Sequence, residues 1–214
     1  MKESRYSLLI LSFMFLAAFV ALSSLLDTKT MESFDAAVLQ AVQEIRHPYI
    51  TPVIKFFTFI GNTRTVIILS VILMFILYTF FKHRKELVLF SVVLIGTGIW
   101  NSLLKAFFER ERPALEAIIT APGFSFPSGH SMAALSLYGI LAFLLWKHMS
   151  KARDRAILLC VAVSFILVIG FSRVYLGVHF PSDVIGAYLF SCFWLFLNIW
   201  FFRNYLWNKR GSGD

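Results

Sequence analysis

The chain has 214 residues, 58% of them hydrophobic and 15% charged, with 24 phenylalanines, whereas a soluble domain is about half apolar and about a quarter charged. This composition excludes an ordinary soluble globule and describes an integral membrane protein. The formal charge of +8 does not describe a nucleic-acid binder, because Lys and Arg fall in short clusters between apolar runs and not along one polar face.

Crossing a hydrocarbon core of roughly 30 Å takes about 20 helical residues, and apolar runs suited to this lie at 6–26, 65–81, 87–104, 128–146, 156–175 and 182–202. A bilayer demands internal pairing of every backbone amide, and the runs lack the alternation of a lumen-facing strand. The expected fold is therefore an all-α integral membrane protein of six transmembrane helices, forming a single domain over 1–214. The first run follows Lys2 and Arg5 but is longer than a signal core and has no clear small-x-small cleavage site, so it reads as an uncleaved helix. After it, Phe34, Ala37, Val38, Ala41, Val42 and Ile45 recur at helical spacing, with Asp35, Gln40, Gln43 and Glu44 opposite. That segment, 33–46, reads either as an additional helix in the outer interface or as a lid or packing element. The stretch 53–62 is apolar but broken by Lys55 and Gly61, which fits an extension of the second span or a shallow turn. Cys160 and Cys192 both sit inside apolar runs, a setting for packing and not for a disulfide or metal cluster.

Orientation follows from cation bias. The amino terminus, 82–85, 147–155 and the tail together hold 12 Lys or Arg, against eight in the remaining segments. The positive-inside rule then places both termini in the cytoplasm and the other helix ends on the extracytoplasmic face of the plasma membrane.

Three segments at those outer ends carry chemistry: Lys105 to Arg112-Pro113, Pro127-Ser128-Gly129-His130, and Ser172-Arg173 to His179 and Asp183. Phosphoryl transfer requires neutralised equatorial oxygens, an in-line nucleophile and a proton for the departing oxygen. Glu109, Glu111 and Glu116 alternate with Arg110 and Arg112 and form no paired carboxylate cluster for Mg²⁺. Lys105, Arg112 and Arg173 can serve instead as fixed cations, and guanidinium forks match phosphate oxygens. Ser128, Gly129 and His130 open a span, so their backbone N–H groups offer an anion site. Asp183 lies four residues after His179, a spacing at which a carboxylate at a helix start faces back onto an imidazole, fixes its tautomer and raises the basicity of its other nitrogen. His179 then reads as a nucleophile and His130 as a proton donor. No cofactor or metal is expected. Arg110, Arg46 and Lys55 read as ordinary loop or snorkelling cations, Ser172 as a supporting hydroxyl, and Ser131 as a helix cap.

These motifs resemble the type-2 phosphatidic acid phosphatase family, whose pattern is KxxxxxxRP, then PSGH, then SRxxxxxHxxxD. All three occur in order without a substitution, and the six-helix outline is similar to its bacterial phosphatidylglycerophosphate and undecaprenyl pyrophosphate phosphatases. The resemblance implies a metal-independent lipid phosphatase in which His179 attacks phosphorus, Asp183 orients it and His130 protonates the leaving lipid oxygen. It further implies that Lys105, Arg112, Ser128, Gly129 and Arg173 hold the phosphate, and that the partners are the bilayer and a membrane lipid phosphate substrate. An anionic-lipid carrier without turnover, or a phosphotransferase with another acceptor, would keep the same anion site. Transporters, however, place charges or broken helices near the midplane, whereas these gather at one face.

Overall fold

A computed structural model describes residues 6–81, 84–114 and 117–207. All regular structure among them is helical: α1 Ser7–Ser23, α2 Lys29–Glu44, α3 Thr51–Ile60, α4 Thr63–Phe81, α5 Arg84–Phe108, α6 Gly129–Trp146, α7 Ala152–Tyr175 and α8 Pro181–Phe201, the last continuing as a π-helical turn over Phe202–Trp207.

Four of these, α5 to α8, are each long and apolar enough to cross a membrane alone. The α3–α4 pair qualifies only together and is bent by 55°, so the stretch 53–62 is a separate helix and not a straight extension of the second span. Its break falls at Gly61 and Asn62, where the Asn62 side chain accepts from Arg64 N at 3.1 Å and its carbonyl from Val66 N at 2.8 Å, opening α4. Helix α1 is apolar but has 17 residues, short of the roughly 20 a full crossing takes.

The helices run up and down. Ser12 Oγ donates to Phe193 O at 2.9 Å and Phe19 packs edge-on against Phe190, so α1 and α8 are antiparallel neighbours. At one end of the bundle Lys147, after α6, pairs with the buried Glu86 at the start of α5. At the other end the close of α5, the start of α6, the close of α7 and the start of α8 come together, and with them the three motifs. The central packing joins Phe90, Leu137, Ile140 and Leu144 with Leu195 and Ile199, apolar side chains between α5, α6 and α8.

Helix α2 covers the motif end. Leu39 and Val42 bury against Val174, Tyr175, Leu176 and Val178 at the α7–α8 turn. This helix departs from its sequence reading: Asp35, placed on the polar face, is buried, while Phe34 and Ile45 from the apolar stripe are exposed. The reason is a charge partner that spacing does not reveal.

Candidate active site

The site grows from two helix starts. Ser128 is the N-cap of α6, its hydroxyl accepting from Ser131 Oγ at 2.9 Å and from Ser131 N at 3.5 Å. Ser131 thus takes part in the cap as expected, and the Ser128 hydroxyl, proposed for phosphate, is engaged in it and fully buried. The N–H groups of Gly129 and His130 precede the helical ladder. Gly129 leaves room for α5, since a Cβ there would stand 2.9 Å from Asn101 Oδ1 and oblige that side chain to move. His130 lies in the first turn of α6 beside Gly61 at the α3–α4 break, where a Cβ would come 3.3 Å from His130 Cδ2 and 2.6 Å from Ile169 Cγ2. The bend of α3–α4 lets that pair approach His130.

The second start is α8, with Phe180 at its N-cap and Pro181 in its first turn, where a missing N–H costs nothing. Asp183 Oδ2 accepts from Phe180 N at 2.8 Å and from Ser125 Oγ at 2.5 Å, and stands 3.3 Å from His179 Nδ1. The Asp183 carbonyl accepts from Ser128 N at 3.1 Å, which ties the two helix starts together. His179 Nε2 faces Arg112 Nη1 at 3.2 Å. A proton on Nδ1 satisfies both contacts: it is donated to Asp183 and leaves the Nε2 lone pair toward Arg112. Burial pushes the His179 imidazole down to about 4, against the upward pull of Asp183, so the ring is neutral near pH 7.

The three cations converge. Arg112 is held by the carbonyls of Val178, Gly123, Pro122 and Phe124 at 2.6 to 3.2 Å, and Lys105 Nζ donates to the same Phe124 carbonyl. Arg173 Nη1 donates to Thr58 Oγ1 on α3 at 2.5 Å, while its buried Nε has no partner among the described residues. Lys105 lies in the fields of both arginines, and all three cations act on His130. Burial lowers the Arg112 guanidinium from its ordinary value, against the opposite pull of Asp183. Like charges gathered in a partly buried site repel unless an anion sits among them. Ser172, read as a supporting hydroxyl, is buried and donates to Ile169 O at 2.6 Å within its own helix.

Two residues read from the sequence as bland or peripheral are part of this cluster. Arg110 is no solvated loop cation: its side chain is 13% exposed, with Nη1 2.7 Å from Asp183 Oδ1 and Nη2 2.8 Å from Asp35 Oδ2. Asp35 also accepts from Ser182 N at 2.9 Å and Ser182 Oγ at 2.5 Å. Outside this cluster, Arg46 donates to the Tyr175 carbonyl at 2.9 Å. The only sequence signal for Arg110 was its position inside the first motif, since Asp35 is 75 residues distant.

The PAP2 superfamily pattern matches residues 86–207. Phosphatidylglycerophosphatase B of Bacillus subtilis (strain 168) is 32% identical over 180 residues, 84% of this chain and 88% of that protein. A putative undecaprenyl-diphosphatase, YbjG, of Escherichia coli (strain K12) is 32% identical over 112 residues, 50% of this chain and 52% of that one. Among solved structures, the transmembrane PAP2 type phosphatidylglycerolphosphate phosphatase of Bacillus subtilis superposes with a TM-score of 0.84 at 28% identity, covering 94% of this chain and 98% of that one. LpxE of Aquifex aeolicus shares the fold, with a TM-score of 0.62 at 23% identity over 77% of this chain and 93% of its own.

Proposed function

This chain belongs to the PAP2 superfamily and is a phosphoric monoester hydrolase, and from that premise we propose that it hydrolyses a lipid phosphate, foremost phosphatidylglycerophosphate, through a phosphohistidine and without a metal. The observation that carries this reading is the convergence of Lys105, Arg112 and Arg173 beside His179 and His130, with the buried Arg173 Nε lacking a partner among the described residues. The fixed charges also fit the substrate. Asp35, Arg110 and Asp183 together carry one negative charge against three positive ones, which leaves two to meet a phosphate dianion.

In this mechanism the anion rests on Lys105, Arg112, Arg173 and the N–H groups of Gly129 and His130, where preorganised donors stabilise the charge of the transition state. The Nε2 lone pair of His179 attacks phosphorus while Asp183 takes up the charge developing at Nδ1. The bond from phosphorus to the lipid oxygen breaks, and His130, having taken up a proton together with the incoming phosphate, gives it to that oxygen. Water then attacks the phosphohistidine with His130 as base, the N–P bond breaks, and inorganic phosphate leaves with His179 restored.

A lipid substrate is supported by a cavity of about 460 Å³ between α4, α5 and α6, lined by Val71, Met74, Leu94 and Ile95 and reaching Asn101 and Gly129. An acyl chain in it would leave the headgroup at the motif end. In the membrane we place six spans, counting α1 and the bent α3–α4 pair as one each, with both termini cytoplasmic and the site at the extracytoplasmic face of the plasma membrane. The cation bias and the antiparallel α1–α8 pairing support this topology. Undecaprenyl pyrophosphate is the second reading, supported by the similarity to YbjG.

The test is turnover by purified protein in mixed micelles of phosphatidylglycerophosphate, undecaprenyl pyrophosphate or phosphatidic acid, with and without chelator. Chelator-resistant phosphate release, highest on the first lipid and abolished in folded His179→Ala, is expected. Full activity in that variant, or a strict need for Mg²⁺, would sink the mechanism.

A further inference from the structure

Asp183 is fully buried and its two oxygens do different work. Oδ2 meets His179, Ser125 and the Phe180 N–H, whereas Oδ1 meets Arg110. A carboxylate is planar, so whatever pins Oδ1 also sets the angle at which Oδ2 faces the imidazole. Arg110 is itself fixed from several directions. Its guanidinium carbon stands 4.2 Å from the Phe180 ring centroid, Nη1 donates to Ser182 Oγ at 2.8 Å, and Nη2 reaches Asp35 on α2. Ser182 in turn donates both its N–H and its hydroxyl to Asp35. The turn that brings Arg110 inward is built for the purpose: α5 ends at Phe108, Glu109 adopts a left-handed φ of 46°, and Arg110 O then accepts from Ser125 N at 2.7 Å.

We propose that Arg110, backed by Asp35, is a positioning residue for the reaction, holding Asp183 in the orientation that makes His179 a nucleophile. The inference rests on the mechanism proposed above. A planar fork spanning two carboxylates is a task for arginine that lysine, a point charge on a flexible stem, cannot reproduce. The Arg110 guanidinium is engaged by Asp183, Asp35 and Ser182 and stands outside the cation set proposed for phosphate, so its loss should slow chemistry and leave phosphate affinity unchanged.

The experiment measures kcat, KM and the inhibition constant of vanadate, a phosphate mimic, for Arg110→Lys, Asp35→Asn, the double variant and His179→Ala. Arg110→Lys is expected to lose about 100-fold in kcat, within the range for misdirected acid–base groups, with KM and vanadate inhibition within about twofold of the parent. Asp35→Asn keeps the shape of the side chain and is expected to lose about tenfold in kcat, and the double variant less than the product of the two, as for residues acting through one partner. Undiminished kcat in Arg110→Lys, or a matching loss in vanadate affinity, overturns the proposal. If Arg110→Lys does not fold, Asp35→Asn decides: unchanged kcat there overturns it. An active His179→Ala would instead overturn the mechanism on which the inference rests.

Discussion

Arg112 Nη1 stands 3.2 Å from His179 Nε2, so the ring nitrogen that faces away from Asp183 meets a guanidinium held in place by four backbone carbonyls. A substrate phosphate entering there would exchange that contact for its own, drawing Arg112 onto an equatorial oxygen as Nε2 meets phosphorus. Arg112→Ala is expected to lower kcat/KM by about 100- to 1,000-fold, the usual effect of losing a preorganised donor to a developing anion. Arg112→Lys should recover only part of this, because a lysine cannot donate along the same fork. Phosphate release at fixed lipid mole fraction measures both.

His179 also leaves a mark on stability. Its folded pKa of about 4 lies below the ordinary histidine value, about 6.5, so between those limits the unfolded chain binds more protons than the folded one. Stability should therefore rise with pH through this window and be lost as pH falls from about 6.5 toward 4. Melting temperatures in detergent across that range are expected to show the slope, and His179→Asn, which does not titrate there, should flatten it. An unchanged slope in the variant would assign the effect to other groups.

Gly61 sits where the bent α3–α4 pair meets His130 and Ile169. A methyl there would come 2.6 Å from Ile169 Cγ2 and 3.3 Å from His130 Cδ2. Gly61→Ala is expected to destabilise by about 1–3 kcal/mol, the usual result of overpacking, and to lower kcat at temperatures where the variant is still folded, by displacing the proton donor. Gly98, where an added Cβ would meet nothing within 4 Å, is the control for stability: Gly98→Ala should be neutral or slightly stabilising, since alanine is the better helix former.

Thr58 accepts from Arg173 Nη1 across α3 and α7. Replacing it with valine keeps the shape and removes the acceptor, a loss of about 1.5–3 kcal/mol for a hydrogen bond to a charged group. With its anchor gone, Arg173 should hold phosphate less well, which would appear as a KM raised about fivefold with kcat little changed. A fall in kcat at constant KM would mean that Thr58 acts on the chemistry in another way.

From sequence alone the helical membrane architecture and the three motifs were legible, because both are local properties. Runs of about 20 apolar residues have one stable form in a bilayer, and His179 and Asp183 are brought together by the turn that opens α8. Ser128 at the cap of α6 follows from the same local logic, whereas the contact that crowds Gly129 comes from Asn101 on α5. Tertiary structure alone decided which charges are buried. Arg110 looked like its solvated neighbours until Asp183 and Asp35 closed on it from α8 and α2, and Asp35 lay on the polar face of its helix until that partner took it inside. Tertiary structure also bent α3 against α4 and set Gly61 beside His130. A charge enters a low-dielectric interior only when opposite charge and hydrogen bonds meet it there. Those partners come from segments up to 147 residues apart in the chain, a separation at which no sequence period carries information.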